Sequence, residues 1–138
     1  MNSGDRQSRR RTSKLHGSFN IASGLWPLIH MRSFEAFTGA KTDKWLVRTV
    51  SGLLITVGAE QLRHPGNSQS AEVSRRLGIG TAATLAAIDL FYASRGRISA
   101  IYLLDAAIEL AWIRRWLREP LTPGSRPRYS PEAARQMP

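Results

Sequence analysis

Asp89, Asp105 and Glu109 stand alone as acids inside otherwise apolar runs. In "LGIGTAATLAAIDLFYA" (77–93) the single charge is Asp89, and in "ISAIYLLDAAIELAWI" (98–113) the charges are Asp105 and Glu109. Asp105 and Glu109 are four residues apart, which puts both on one narrow helix face. Two carboxyls so placed can relay protons or hold a cation. A single protonated or hydrogen-bonded acid that locks helix packing has the same signature. Arg48, one turn into "WLVRTVSGLLITVGA" (45–59), is the natural counter-ion. An unpaired charge in hydrocarbon costs roughly 2.5–3.5 kcal/mol, which favours Arg48 pairing with Asp89 or Asp105 in the interior. Its long stem would also let it reach the surface and pair with nothing.

Other chemistry finds no support. His16, His30 and His64 have no ligand spacing, so no metal site is expected. The absence of cysteine removes disulfides, thiolate ligands and thiol nucleophiles. "GIGTAA" (78–83) fits the letters of the dinucleotide fingerprint but follows a basic helical turn where that motif needs a buried strand. No Ser/His/Asp set or phosphate loop emerges, so neither an enzyme nor a cofactor is expected.

The elements that must position these residues are helical. Four apolar segments rich in Ala, Leu and Ile predict helices at about 19–37, 43–62, 71–94 and 98–118, with no strand-like alternation. Pro27 withdraws a donor from the Ser23 carbonyl, so a kink is expected in the first helix; with His30 it could also line an opening. Phe34 and Phe37 then face lipid at the outer interface, and Gly39 stops the helix. Gly96 in "SRGR" (94–97) suits a left-handed C-terminal turn. Gly78, Ala82 and Ala86 form a small-residue stripe suited to close helix packing, as do Gly80 and Thr84. Residues 1–14 and 119–138 predict disordered basic and Pro/Arg-rich tails around a 15–118 helical domain. "SRRRTSKLHG" (8–17) has the basic flavour of a twin-arginine signal but lacks its apolar positions and a cleavage site.

No helix of the middle region has a broad polar stripe, and a chain of 138 residues cannot bury three such helices in protein alone. The expectation is an all-α, four-helix transmembrane bundle. Fourteen of the twenty Lys and Arg fall inside if both termini are cytoplasmic, and six (Arg32, Lys41, Lys44, Arg48, Arg95, Arg97) outside. That favours an N-in, C-in orientation in the cell (inner) membrane. Trp26, Trp45, Trp112 and Trp116 sit near segment ends, as interfacial aromatics do. A formal charge of +10, concentrated in the tails, points to anionic lipid headgroups as partners. It weighs against nucleic acid, whose binders carry basic residues on a folded surface. A homo- or hetero-oligomer in the membrane is compatible with all of this.

"GLWPLIHMRSFEAFTG", "DKWLVRTVSGLLITVGAEQL" and "AAIDLFYASRGRISAIYLLDAAIEL" together resemble the layout of small four-helix bacterial inner-membrane proteins of unknown function, DoxX-like in architecture. Phe34, Phe37, Gly39 and Asp89 occupy the matching places. The resemblance implies a fold and a membrane, and no activity. The expected function is therefore a small polytopic membrane protein acting as an accessory or structural subunit or a transporter-like bundle. The alternative is a soluble basic helical protein that binds nucleic acid through its arginine-rich ends.

Overall fold

A computed structural model of the chain describes residues 3–63 and 68–119. Those residues form an all-helical fold of five helices: α1 (Ser3–Ile29), α2 (Met31–Thr38), α3 (Lys44–Arg63), α4 (Ser68–Ser94) and α5 (Tyr102–Arg118). α1 packs chiefly on α3 and α4 on α5, and the two pairs meet through sparser contacts.

Five helices replace the expected four because the first segment is broken at His30. Pro27 lies buried in the last turn of α1, and three residues later His30 leaves helical geometry (φ −142°, ψ 73°). The break is held by its own side chains. His30 Nδ1 accepts from the Ser33 backbone N–H (3.1 Å). Trp26 Nε1 donates to Ser33 Oγ (2.8 Å), which in turn donates to the His30 carbonyl (3.0 Å). So the expected kink at Pro27 becomes a capped break at His30, and α2 starts in a new direction. Gly39, with φ 90°, ends α2 as expected. Gly96, with φ 63°, turns the chain after α4.

The first fourteen residues depart further from expectation. Residues 3–14 are the first half of α1, not a disordered tail, with Arg9, Thr12 and Ser13 buried. A basic stretch reads as solvated because its charges dominate composition, yet here one face of the helix is packed inside. The expected tail at 120–138 lies outside the described residues.

Sites of closest approach follow small residues. Gly17 and Gly24 on α1 and Ser51 and Gly58 on α3 recur at seven-residue spacing. A Cβ at Gly17 would lie 2.8 Å from the Gly58 carbonyl oxygen, and one at Gly24 would lie 2.6 Å from that of Ser51. The pairs 17–58 and 24–51 fix α1 and α3 as antiparallel with backbones in contact. On α4 the Gly78, Ala82, Ala86 stripe is buried, and Gly78 leaves room for the Trp116 indole. Gly80 and Thr84 face outward instead, with open space beside Gly80.

At the end of the bundle formed by α2 and the 95–101 turn, Glu35 organises the connection to α3. Its Oε1 accepts from the Lys41 backbone N–H (3.0 Å) and its Oε2 from Lys44 Nζ (2.9 Å). The Lys41 amide, then the Lys44 ammonium, hold this carboxyl below its ordinary pKa. A depressed carboxyl stabilises the fold above its unfolded pKa and loses that contribution as pH falls through its folded value. The protection factor of the Lys41 amide, its exchange relative to the intrinsic rate at each pH, is therefore expected to fall on acidification below the ordinary Glu range. In Glu35→Gln it should already be low at neutral pH and flat across that window. Protection in the variant equal to the wild type would refute this role.

Candidate functional site

The fully buried positions are mostly polar, while many large apolar side chains are exposed. Among the described residues the buried hydrophobic side chains are Ala82, Ala86, Ala106 and Trp116. Buried polar or charged residues are three times as many, and include Arg9, Thr12, His16, Asn20, Gln61, Asp89 and Glu109. Twenty large hydrophobic residues are exposed, distributed along all five helices from Leu15 to Leu117.

One end of the interior is anchored by α1 and α5. Glu119 Oε1 accepts from Ser8 Oγ (3.0 Å) and Thr12 Oγ1 (2.7 Å), and Arg115 Nε donates to Thr12 Oγ1 (3.0 Å). A cavity of about 490 Å³ opens beside them, lined by Asp5, Ser8, Arg115, Arg118 and Glu119. Deeper in, Trp116 Nε1 donates to His16 Nδ1 (2.9 Å), and Gln61 Nε2 lies 3.3 Å from the same nitrogen. An indole N–H can only donate, so Nδ1 is the acceptor and the neutral ring carries its hydrogen on Nε2. Trp112 stacks on the imidazole at 4.5 Å and 14°. Asn20 Nδ2 donates to Gln61 Oε1 (2.9 Å), and Ser13 Oγ donates to the Gln61 carbonyl (2.6 Å). Gln61 thus ties α1 to α3 with both its backbone and its amide.

The three acids meet at the other end. Asp89 and Asp105 sit on the packed helices α4 and α5, near enough for their carboxyls to interact, and Glu109 lies one turn along α5 from Asp105. Asp89 and Glu109 are buried, 5% and 1% exposed, while Asp105 is half-buried. Arg48 does not join them. It is exposed and enters none of the ion pairs of the described residues, so the interior pairing expected for it is absent. Its position on α3 turns it outward, whereas Ser51, three residues on, faces α1. No group of three His, Asp or Glu among the described residues has metal-binding geometry.

Two further expectations are corrected. Trp116 is 1% exposed and Trp112 is stacked inside, so the interfacial role fits only Trp26 and Trp45, 39% and 66% exposed. His16, which has no metal-ligand partner in sequence, is a buried hub of the interior. Its signal was present as helical spacing: Arg9, Thr12, His16 and Asn20 recur every three or four residues along α1. Counting 1–14 as tail cut Arg9 and Thr12 off from that series.

No protein-family model, curated protein or solved structure matches the chain. Its reading rests on its own residues.

Proposed function

We propose that this chain is a small polytopic integral membrane protein whose α1, α3, α4 and α5 cross the bilayer, with both termini cytoplasmic. It would serve as a transporter-like bundle or an accessory subunit. The inverted distribution of polarity carries this reading. In water, the exposed Leu, Ile, Val and Phe residues of four helices would be driven inward and the buried Asn, Gln, His and acids outward. In hydrocarbon the preference reverses: polar groups seek one another inside, and small residues bring the helices together.

Dimensions support it in part. At 1.5 Å per residue α3 is about 30 Å long, α4 about 40 Å and α5 about 25 Å, against a hydrocarbon core of about 30 Å. Only Gln69–Ser94 is long and apolar enough among the described residues to cross a membrane on hydropathy alone. α5, with 17 residues, is short, and the charges of α1 and α3 dilute their apolar faces. Bundles with polar interiors lower their own hydropathy in just this way. The excess of Lys and Arg at the Glu119 end supports placing that end inside. The sequence's resemblance to small four-helix inner-membrane proteins is in keeping with this reading.

Fractionation tests it. The chain should resist high salt and alkaline carbonate and leave the membrane only with detergent. Since it has no native cysteine, single thiols report orientation cleanly. Thr42→Cys should react with an impermeant maleimide in intact cells, and Gly4→Cys should not. Release by high salt would instead favour a soluble basic protein bound to nucleic acid and end the membrane reading.

A further inference from the structure

The interior polar groups continue from one end of the bundle to the other, and a subset of them is left without partners. On α5 the positions from Asp105 to Glu119 rise about 21 Å, most of the depth of the hydrocarbon core. The contacts Glu119–Ser8, Arg115–Thr12 and Trp116–His16 set an antiparallel register between α5 and α1. In that register Asn20 falls level with Glu109, one turn beyond the His16–Trp112 stack. Four buried atoms of this layer have no hydrogen-bond partner: Glu109 Oε2, Asn20 Oδ1, His16 Nε2 and Trp112 Nε1. His16 is 0% exposed and Asn20 1%. Two are N–H donors and two are oxygens, from helices that otherwise touch little. Buried polar atoms left unpaired are costly, and water satisfies such groups where it has two to four polar partners.

Among the described residues no ion pair neutralises the acids. Lys41 Nζ lies 4.9 Å over the Tyr102 ring and Arg95 lies 3.8 Å over the Phe91 ring, while Arg48 is exposed. The titratable groups facing Glu109 are Asp89 from α4, Asp105 from its own helix and His16 from α1. α3 contributes Ser51, Gly58 and Gln61 to the interior, none of which titrates. Arg9, Arg115 and Glu119 lie beyond the His16 layer, at the inner end. Three carboxyls grouped out of water without a cationic partner cannot all be ionised. Carboxyls so placed take up protons.

We propose that the bundle conducts protons, received at the outer end by half-buried Asp105 and Asp89 and passed to Glu109. From Glu109 they cross water held by Asn20, His16 and Trp112 to the cavity beside Glu119 and Arg115. A proton adds to a carboxylate oxygen outside and a proton leaves water inside; no other bond changes and no electron moves. His16 is a positioning residue. Its Nδ1 is occupied by Trp116, so its Nε2–H orients water and does not itself relay.

This inference rests on the membrane reading, and the test separates the two. The purified full chain is reconstituted in vesicles of neutral and anionic phospholipid enclosing a pH-sensitive dye. Resistance to carbonate extraction reports insertion independently of flux. With a pH gradient and a potassium–valinomycin potential, wild-type vesicles should acidify faster than empty ones. Glu109→Gln should fall to the empty-vesicle rate, and Glu109→Asp should retain part of the flux. Asn20→Leu should slow the flux with insertion and size-exclusion profile unchanged. Inserted wild type that conducts no faster than empty vesicles overturns the proton path. So does Glu109→Gln conducting like wild type, or flux driven by a sodium gradient and not by protons.

Discussion

Gly58→Ala is expected to destabilise the bundle by about 1–3 kcal/mol, and Gly58→Leu by more, because the α1–α3 contact has no room for a side chain. A Cβ at Gly58 would lie 2.5 Å from the Gly17 carbonyl oxygen, 2.8 Å from Ile21 Cγ1 and 3.0 Å from the Ile21 backbone nitrogen. Two of these three are backbone atoms, which cannot swing aside, so relief requires the helices to separate. Separation pulls Gln61, one turn further along α3, away from Asn20 and Ser13 and leaves their buried groups unpaired. Gly52 is the internal control. It lies on the same helix with nothing within 4 Å of a Cβ. Gly52→Ala should therefore gain about 0.5–1 kcal/mol from reduced backbone entropy. SDS titration of the purified detergent-solubilised variants measures both. Equal midpoints for the two alanine variants would show that α1 and α3 are not in backbone contact.

Trp116→Ala has the largest expected effect of any single change, about 3–5 kcal/mol for removing a fully buried indole. Trp116 is 1% exposed, and its indole sits where three helices converge, against Gly78 of α4 and donating to the His16 ring of α1, while its backbone carbonyl accepts from Arg75 Nε (3.4 Å). Truncation leaves a cavity and also frees His16 Nδ1, so the imidazole loses the contact that sets its tautomer. Trp116→Phe separates the two losses. It keeps most of the volume and removes only the N–H donor, and should cost about 1–3 kcal/mol, the range for an orphaned buried acceptor. Nitrogen chemical shifts of His16 read the tautomer directly. In the wild type they should report Nε2–H, and in Trp116→Phe a mixture. An unchanged tautomer in the phenylalanine variant would mean that Gln61 alone, at 3.3 Å, fixes the ring.

Helix type and most boundaries were legible in the chain because they depend on local physics. Apolar runs without alternation, Gly39 and Gly96 as stops, and Pro27 as a perturbation each act within a few residues. The acids were legible too: a carboxyl in an apolar run is conspicuous wherever the run packs, and Asp89 and Glu109 are buried. What escaped were features whose meaning depends on a partner. Arg48 and Asp89 look complementary by depth, but depth does not set azimuth, and Arg48 lies on the outer face of α3. Arg9, Thr12 and His16 look like tail until α3 and α5 are placed beside them. Gly17 and Gly58 look like two unremarkable glycines forty-one positions apart until their backbones meet.

By itself, then, the sequence determined that the chain is helical, where it turns, and that its middle lacks a water-loving side. Only the tertiary structure decided which polar groups face one another and which are left unpaired. The physical reason is that burial of a helix face is a local periodicity, whereas hydrogen bonding across helices needs a register and a rotation that no single segment specifies.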